Sequence, residues 1–257
     1  MEKDMKLEAK DFSNLLRCLS ILKGICNDLD IRGGVLRQRS TDKSSIFEMD
    51  LRPLISDCDI PLSDLESNLN LLKGLSKQGV QITVTDDKTY FSGKHSTFDF
   101  KNPRQDFMDN KFISNEEFLT IFTLREEDLV LEYMVTKDIS NVMKLTAGQF
   151  KIVSFQIRFH GDTASITAAP SGKKQHVEIE YGIPVKKPFK GFSNVVNTPF
   201  LLDRDKNILF KMYNVQEDIF ISKFTSSIGK IAVDIYSRSQ LMEDEEGSTS
   251  LEEEGGE

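Results

Sequence analysis

The 257 residues carry 39% apolar side chains and no tryptophan, enough chain for one large domain or two ordinary ones, so that staples of metal or disulfide are not required. The net charge of -8 speaks against a nucleic-acid binder until it is located: eight of the 41 acidic residues and no basic one lie between Glu243 and Glu257, leaving 33 acidic residues against 33 lysines and arginines. The body is neutral, so function turns on where its charges sit.

Cys18, Cys26 and Cys58 are odd in number and lack CxxC spacing, which predicts buried free thiols in a reducing compartment. No charged-then-apolar leader opens the chain, and no apolar run approaches the length of about 18 residues that spans a membrane. A soluble, intracellular protein is expected, without membrane contact.

In chain order, Phe12, Leu15, Leu16, Leu19, Leu22, Ile25 and Cys26 recur at spacings of three and four and predict an amphipathic helix. Lys10 and Arg17 fall opposite that stripe, whereas Lys23 falls close to it. Gly33-Gly34 turns the chain and Ser44 to Leu51 is strand-like. Pro61 is expected to open a second helix with Leu62, Leu65, Leu69, Leu72 and Leu75 inward, Lys77 to one side of its polar face and Gly79 as its stop. Val80, Ile82 and Val84 alternate, Asp86-Asp87 turns the strand back through Tyr90-Phe91, and Phe98 and Phe100 mark another strand.

Residues 102 to 116, with Pro103 and the isolated apolar cluster Phe107, Met108, Phe112 and Ile113, predict an interdomain linker between a domain at 1–101 and one at 117–240. In the second half, Glu126 to about Val142 is helical in composition. Ser154 to Ala169 suggests a hairpin turning at Gly161-Asp162, followed by strand at Val177 to Tyr181. Pro199 is expected to open a short helix over Arg204 to Tyr213, before strands at Asp218 to Phe224 and Lys230 to Ser237. Pro61, Leu71, Leu72 and Lys73 recur 138 positions later as Pro199, Leu209, Phe210 and Lys211. Two similar α+β domains follow from that echo. Residues 241–257, rich in Glu, Gly and Ser, are expected to form a disordered acidic tail.

Catalytic signatures are absent. Gly93-Lys94-His95-Ser96-Thr97 is only superficially a phosphate loop, because His95 follows the lysine and the first glycine is missing. There is no GxGxxG, HExxH or GxSxG, and His95, His160 and His176 lack ligand partners at metal-binding spacing. The expectation is a protein that is not an enzyme and needs no cofactor or metal.

The order of these elements resembles the DNA sliding clamps, including proliferating cell nuclear antigen. The bacteriophage clamps of T-even type are more similar, across Thr89-Tyr90-Phe91-Ser92-Gly93-Lys94-His95-Ser96-Thr97-Phe98 and again at Glu127-Asp128-Leu129. The resemblance covers residues 5 to 238 and rests on spacing and residue class. It implies two clamp domains per chain, helices lining a ring and antiparallel sheets outside it, three chains closing the ring around double-stranded DNA without regard to sequence, and a DNA polymerase and a clamp loader as partners. A host-bacterium cytoplasm is implied for a phage protein and a nucleus for a eukaryotic one.

The implied DNA-facing residues are Lys10, Arg17, Lys73, Lys77, Lys137, Lys144, Arg204 and Lys211. Modest positive charge without base-reading groups suits sliding. The implied partner pocket, a dip under the linker that receives an apolar peptide, takes Ile46, Phe47, Phe107, Met108, Val233, Ile235 and Tyr236. Alternation of Ile231, Val233 and Ile235 is equally what a half-buried strand shows. A clamp-like scaffold or decoy in repair, checkpoint or transcription is the neighbouring reading. A small α+β enzyme is disfavoured by the missing motifs, and a single-strand binder by the lack of tryptophan platforms.

Overall fold

The computed structural model describes residues 3–23, 26–41, 43, 45–104, 112–121, 123–150, 154–168, 177–196 and 207–242. The chain begins with β1 (Lys3–Leu7), α1 (Ala9–Ile21), β2 (Leu29–Arg32), β3 (Val35–Arg39), β4 (Ser45–Asp50), the single turn α2 (Arg52–Ile55) and β5 (Ile60–Leu62). Next come α3 (Leu65–Leu72), which tightens into a 3-10 turn at Lys73–Leu75, and the meander β6 (Val80–Val84), β7 (Lys88–Ser92) and β8 (Thr97–Lys101). Helix α4 (Asn115–Ile121) leads to β9 (Leu129–Val135), α5 (Lys137–Phe150), β10 (Ser154–Ala168), β11 (Val177–Val196), β12 (Ile208–Gln216), β13 (Ile219–Ile228) and β14 (Ile231–Met242).

The first helix forms where its pattern requires. Phe12, Leu15, Leu16 and Leu19 are buried, Leu22 packs just beyond the last turn, and Lys10 and Arg17 are exposed. Lys23 is neutralised by Glu66 of α3 at 3.0 Å, so the end of α1 is tied to that helix. Leu65, Leu69, Leu72 and Leu75 are buried as their spacing predicts, yet α3 does not begin at Pro61. Ile60-Pro61-Leu62 instead forms β5, paired with β2 at the edge of a sheet, where a residue without an N–H is tolerated. The chain then turns at Asp64, whose φ is 45°, and the helix starts there.

Of the helix expected over Glu126 to about Val142, Leu129 to Val135 is strand β9 and only the part from Lys137 on is helical, as the start of α5; the described part of the helix expected over Arg204 to Tyr213 is strand β12 from Ile208 on. Leu129, Val130 and Leu131 are buried in succession because β9 lies between β11 and β12 inside the larger sheet. A strand covered on both faces loses the alternation that distinguishes it from a helix. Residues Ile208, Phe210 and Met212 of β12 are buried and alternate with half-buried Leu209 and Lys211, a period of two. The echo with Pro61 to Lys73 therefore does not hold structurally: Lys73 lies in a helical turn and Lys211 in a strand. Gly161 does not turn a hairpin either. Strand β10 runs through it with φ 77°, and the register shifts between Gly161, opposite Phe189, and Thr163, opposite Pro184, with the surplus residues on β11.

Strands β1-β6-β7-β8 form one sheet in that order, and ten strands form another, ordered β10-β11-β9-β12-β13-β14-β4-β3-β2-β5. Antiparallel pairing of β14 with β4, with Val233 opposite Met49, Ile235 opposite Phe47 and Tyr236 opposite Ile46, carries this sheet from one half of the chain into the other. Successive side chains alternate across it. Phe47, Met49, Val233 and Ile235 enter the main core with α1, α3 and α5, whereas Ile46 and Tyr236 join a separate small cluster.

Cys18 and Cys26 are buried free thiols, but Cys58 is only half-buried. Burial pushes the Cys18 thiol up to about 12. A thiol reagent is expected to modify Cys58 in the native protein and Cys18 and Cys26 only after denaturation. Peptide mass mapping before and after unfolding checks this, and equal native labelling of all three would contradict the packing.

Candidate functional site

Two surfaces on opposite faces of the ten-stranded sheet concentrate the candidate residues. On the helical face, α1 presents Lys10 and Arg17, the turn after α3 exposes Lys73, and Lys77 follows it. Lys137 is exposed at the start of α5, where its backbone N–H donates to Asn207 Oδ1 at 3.2 Å, and Lys144 is half-buried two turns further along the same face. These helices share one core through Phe12, Leu69 and Met143, which fixes their outward faces relative to the sheet. Asp11, Glu66 and Asp138 lie on the same elements, so the positive excess is modest.

Lys211 does not belong to this face. It sits opposite Glu132 in the β12–β9 ladder and pairs with it at 2.7 Å, an interaction that holds the ammonium pKa above its ordinary value. Arg204 lies outside the described residues. Conversely, the sequence pattern gave no prominence to Lys230. A Cβ at Gly229 would stand 3.4 Å from Asn14 Nδ2, so the β13–β14 turn meets the polar side of α1 and brings exposed Lys230 beside it. A Gly-Lys turn between two apolar strands is a local signal, but its proximity to α1 is a tertiary one.

The other surface is where β3, β4, β14 and β13 turn away from the helices. Ile46, Ile113, Phe118, Ile221 and Tyr236 are buried together, apart from the main core. Phe118 meets the Tyr236 ring edge-on at 5.2 Å, and burial pushes the Tyr236 phenol far up. Of the residues expected to line a pocket, Ile46 and Tyr236 face this side. Phe47, Val233 and Ile235 do not: they are at most 2% exposed within the main core, and the pleat is the reason. Phe107 and Met108 lie outside the described residues.

Helix α4, which covers this cluster, was not anticipated from the sequence. Ser114 caps it: its Oγ accepts the Glu117 N–H at 3.1 Å, and its carbonyl accepts the Phe118 N–H at 2.9 Å. Ile113 before the cap and Phe118 in the first turn enter the same cluster, as in a hydrophobic staple. Ser114-Asn115-Glu116-Glu117, Ser-x-x-Glu ahead of apolar residues, was the available signal.

A third feature is a cleft of about 590 Å³ lined by residues including Asp30, Arg32, Asp59, Asp86 and Lys101. Three of its charged side chains are engaged in ion pairs, Arg32 with Asp30 and Asp59 with Lys3 from outside the lining, both at 2.6 Å. Among the described residues no group of three or more His, Cys, Asp or Glu side chains is placed to hold a metal, and no helix is long and apolar enough to cross a membrane.

No family model and no curated protein matches this sequence. Solved structures do match. The PCNA2-PCNA3 complex of Sulfolobus tokodaii superposes with a TM-score of 0.61 at 11% identity, over 92% of this chain and 99% of the other. The A. fulgidus PCNA bound to the C-terminal region of FEN-1 gives 0.59 at 10% identity, over 95% and 100%. Proliferating cellular nuclear antigen of Entamoeba histolytica gives 0.58 at 14%, over 93% and 98%.

This chain has the sliding-clamp fold.

Its α+β architecture, with few helices and large antiparallel sheets, is that of two-domain clamps, and the match extends over nearly the whole of each of those clamp chains. Within the clamp fold, the helical face carries the exposed Lys10, Arg17, Lys73 and Lys137, and the junction surface carries a covered apolar patch.

Proposed function

We propose that the chain is a sliding clamp subunit that closes head-to-tail with two further copies around double-stranded DNA and tethers a replicative DNA polymerase, without catalysing a reaction itself. The carrying observation is the clamp fold with Lys10, Arg17, Lys73, Lys137 and Lys144 on the helical elements that pack on one side of the sheet, and Lys77 in the turn that follows Lys73–Leu75. Lys230 joins this set. Such a face attracts phosphates without reading bases. Division at 1–101 and 117–240, with a linker between, accompanies this reading, as does kinship to bacteriophage clamps through Thr89 to Phe98, which forms β7, its turn and the start of β8.

Closure of a ring by identical chains needs two different patches that fit each other. Leu71 on α3 is 49% exposed, and on α5 Val142 and Leu145 are 46% and 73% exposed. Large apolar side chains so placed on two separate helices supply such a pair. Leu145→Asp is expected to leave the fold intact and weaken assembly at least tenfold, since burying one leucine contributes about 1.5–3 kcal/mol. Sedimentation velocity across a concentration series measures this. A wild-type chain that forms a concentration-independent dimer, or an assembly indifferent to Leu145→Asp, would count against the ring. Retention of the loaded protein on circular but not linear DNA tests encirclement directly.

The junction surface around Ile46 and Tyr236 is, on this reading, where a partner's apolar peptide docks, with Phe107 and Met108 of the linker contributing from outside the described residues.

A further inference from the structure

The junction surface holds something already. Two of the five residues of its apolar cluster, Ile113 and Phe118, come from the strap formed by residues 112–121, and the other three, Ile46, Ile221 and Tyr236, form the sheet wall beneath. Three arginines of β2 and β3 grip the strap. The Arg37 guanidinium lies 4.5 Å from the centre of the Phe118 ring, Arg32 lies 4.5 Å from that of Phe112, and Arg39 pairs with Glu117 at 2.5 Å. The Ile113 N–H donates to the Arg37 carbonyl at 3.1 Å, and Phe112 bridges to Gln38. The strap thus lies on this surface as a bound peptide would: an acidic residue, then an aromatic anchor, with a short stretch of backbone pairing.

We propose that α4 is an in-chain occupant of the partner surface, and that the partner segment that replaces it carries an acidic residue immediately before an aromatic one. The inference rests on the junction surface being a docking site, as argued above, and adds what it selects and what guards it. Arg37 and Arg39 project from the same side of β3, so a segment that buries an aromatic ring against Tyr236 brings its preceding residue to a guanidinium. Aromatic faces and carboxylates are both good partners for that group.

Exchange is physically accessible. A seven-residue helix has little stability of its own, and the Arg39–Glu117 pair is more than a third exposed on both sides, so Phe118 and Ile113 do most of the holding. Tethering nonetheless gives the strap an effective concentration on the order of millimolar, which a free segment must overcome. The strap therefore sets a threshold that weak apolar peptides do not pass.

The test uses a fluorescent peptide copying residues 112–124, added to the full-length wild-type protein and to Phe118→Ala, whose own strap lacks its anchor. Polarisation titration is expected to show binding to the variant at least tenfold tighter than to the wild type. The same peptide with Glu116→Lys and Glu117→Lys is expected to lose most of that affinity, and Tyr236→Ser introduced into the variant is expected to abolish it. Equal affinity for wild type and variant would overturn the in-chain occupant while leaving a docking surface in place. Equal affinity of the two peptides would overturn the acidic preference. Binding to neither protein would remove the docking reading itself. A second measurement needs no substitution: amide hydrogen exchange over 115–121 in the wild-type protein should accelerate at saturating peptide, and unchanged protection there would also reject displacement.

Discussion

Replacing Lys10, Arg17, Lys77 and Lys137 together with Ala is expected to reduce loading onto DNA and retention there by at least about tenfold at low salt, with no dependence on DNA sequence. All four side chains are exposed, three on helices α1 and α5 and Lys77 in the turn after α3. Each phosphate that the variant no longer neutralises removes roughly one unit from the log-log salt slope, so its binding should be flatter in salt by up to about four units. Stability should change by no more than about 0.5 kcal/mol for each exposed position. Circular dichroism and sedimentation establish that the variant is folded and assembled before DNA is added. Adding Lys230→Ala should extend the effect, while Lys211→Ala should not, because Lys211 is engaged by Glu132 on a strand. An assembled variant with wild-type retention and an unaltered slope would make this face an ordinary solvated one.

Phe47→Ala is expected to be among the most destabilising single substitutions in the chain. Phe47 is fully buried opposite Ile235, at the strand pair that joins the sheet's two halves. Truncating such a ring costs about 3–5 kcal/mol, much of the total stability of an ordinary domain. A fall in Tm of roughly 6–20 °C is expected for a chain of this size. Its neighbour Ile46, on the other face, lies in the small cluster under α4. Ile46→Ala should therefore cost only about 2 kcal/mol, the low end for such a truncation, while weakening the seat of the strap. Calorimetry of both variants reads the difference. A Phe47→Ala protein that melts within a degree or two of the wild type would mean that the two halves do not depend on the β4–β14 junction.

The contrast between these neighbours shows where legibility in the sequence ends. Periodicity identified α1 down to its exposed Lys10 and Arg17, because a helix on one core has a single apolar stripe that the residues themselves declare. It identified β6, β7 and β8 for the corresponding reason of period two. It failed at β9, where burial on both faces erased the alternation, and at β12, where a chance echo with Pro61 to Lys73 outweighed the local pattern.

What the sequence determined by itself is the set of locally encoded elements, the free thiols and the neutral charge balance of the body. Each of these depends on residues near one another in the chain. Only the tertiary structure decided which face of the β4–β14 junction each residue takes, since strand register is fixed by a partner more than 180 positions away. The same holds for Lys211, which the β9 ladder removes from the helical face, and for Lys230, which a turn at Gly229 brings to Asn14 of α1. The strap was read as part of the linker although Ser114 and Glu117 carry a helix-capping signal, and its seat on Tyr236 between arginines exists only once β3, β4, β13 and β14 are aligned, because no local interaction holds those strands side by side.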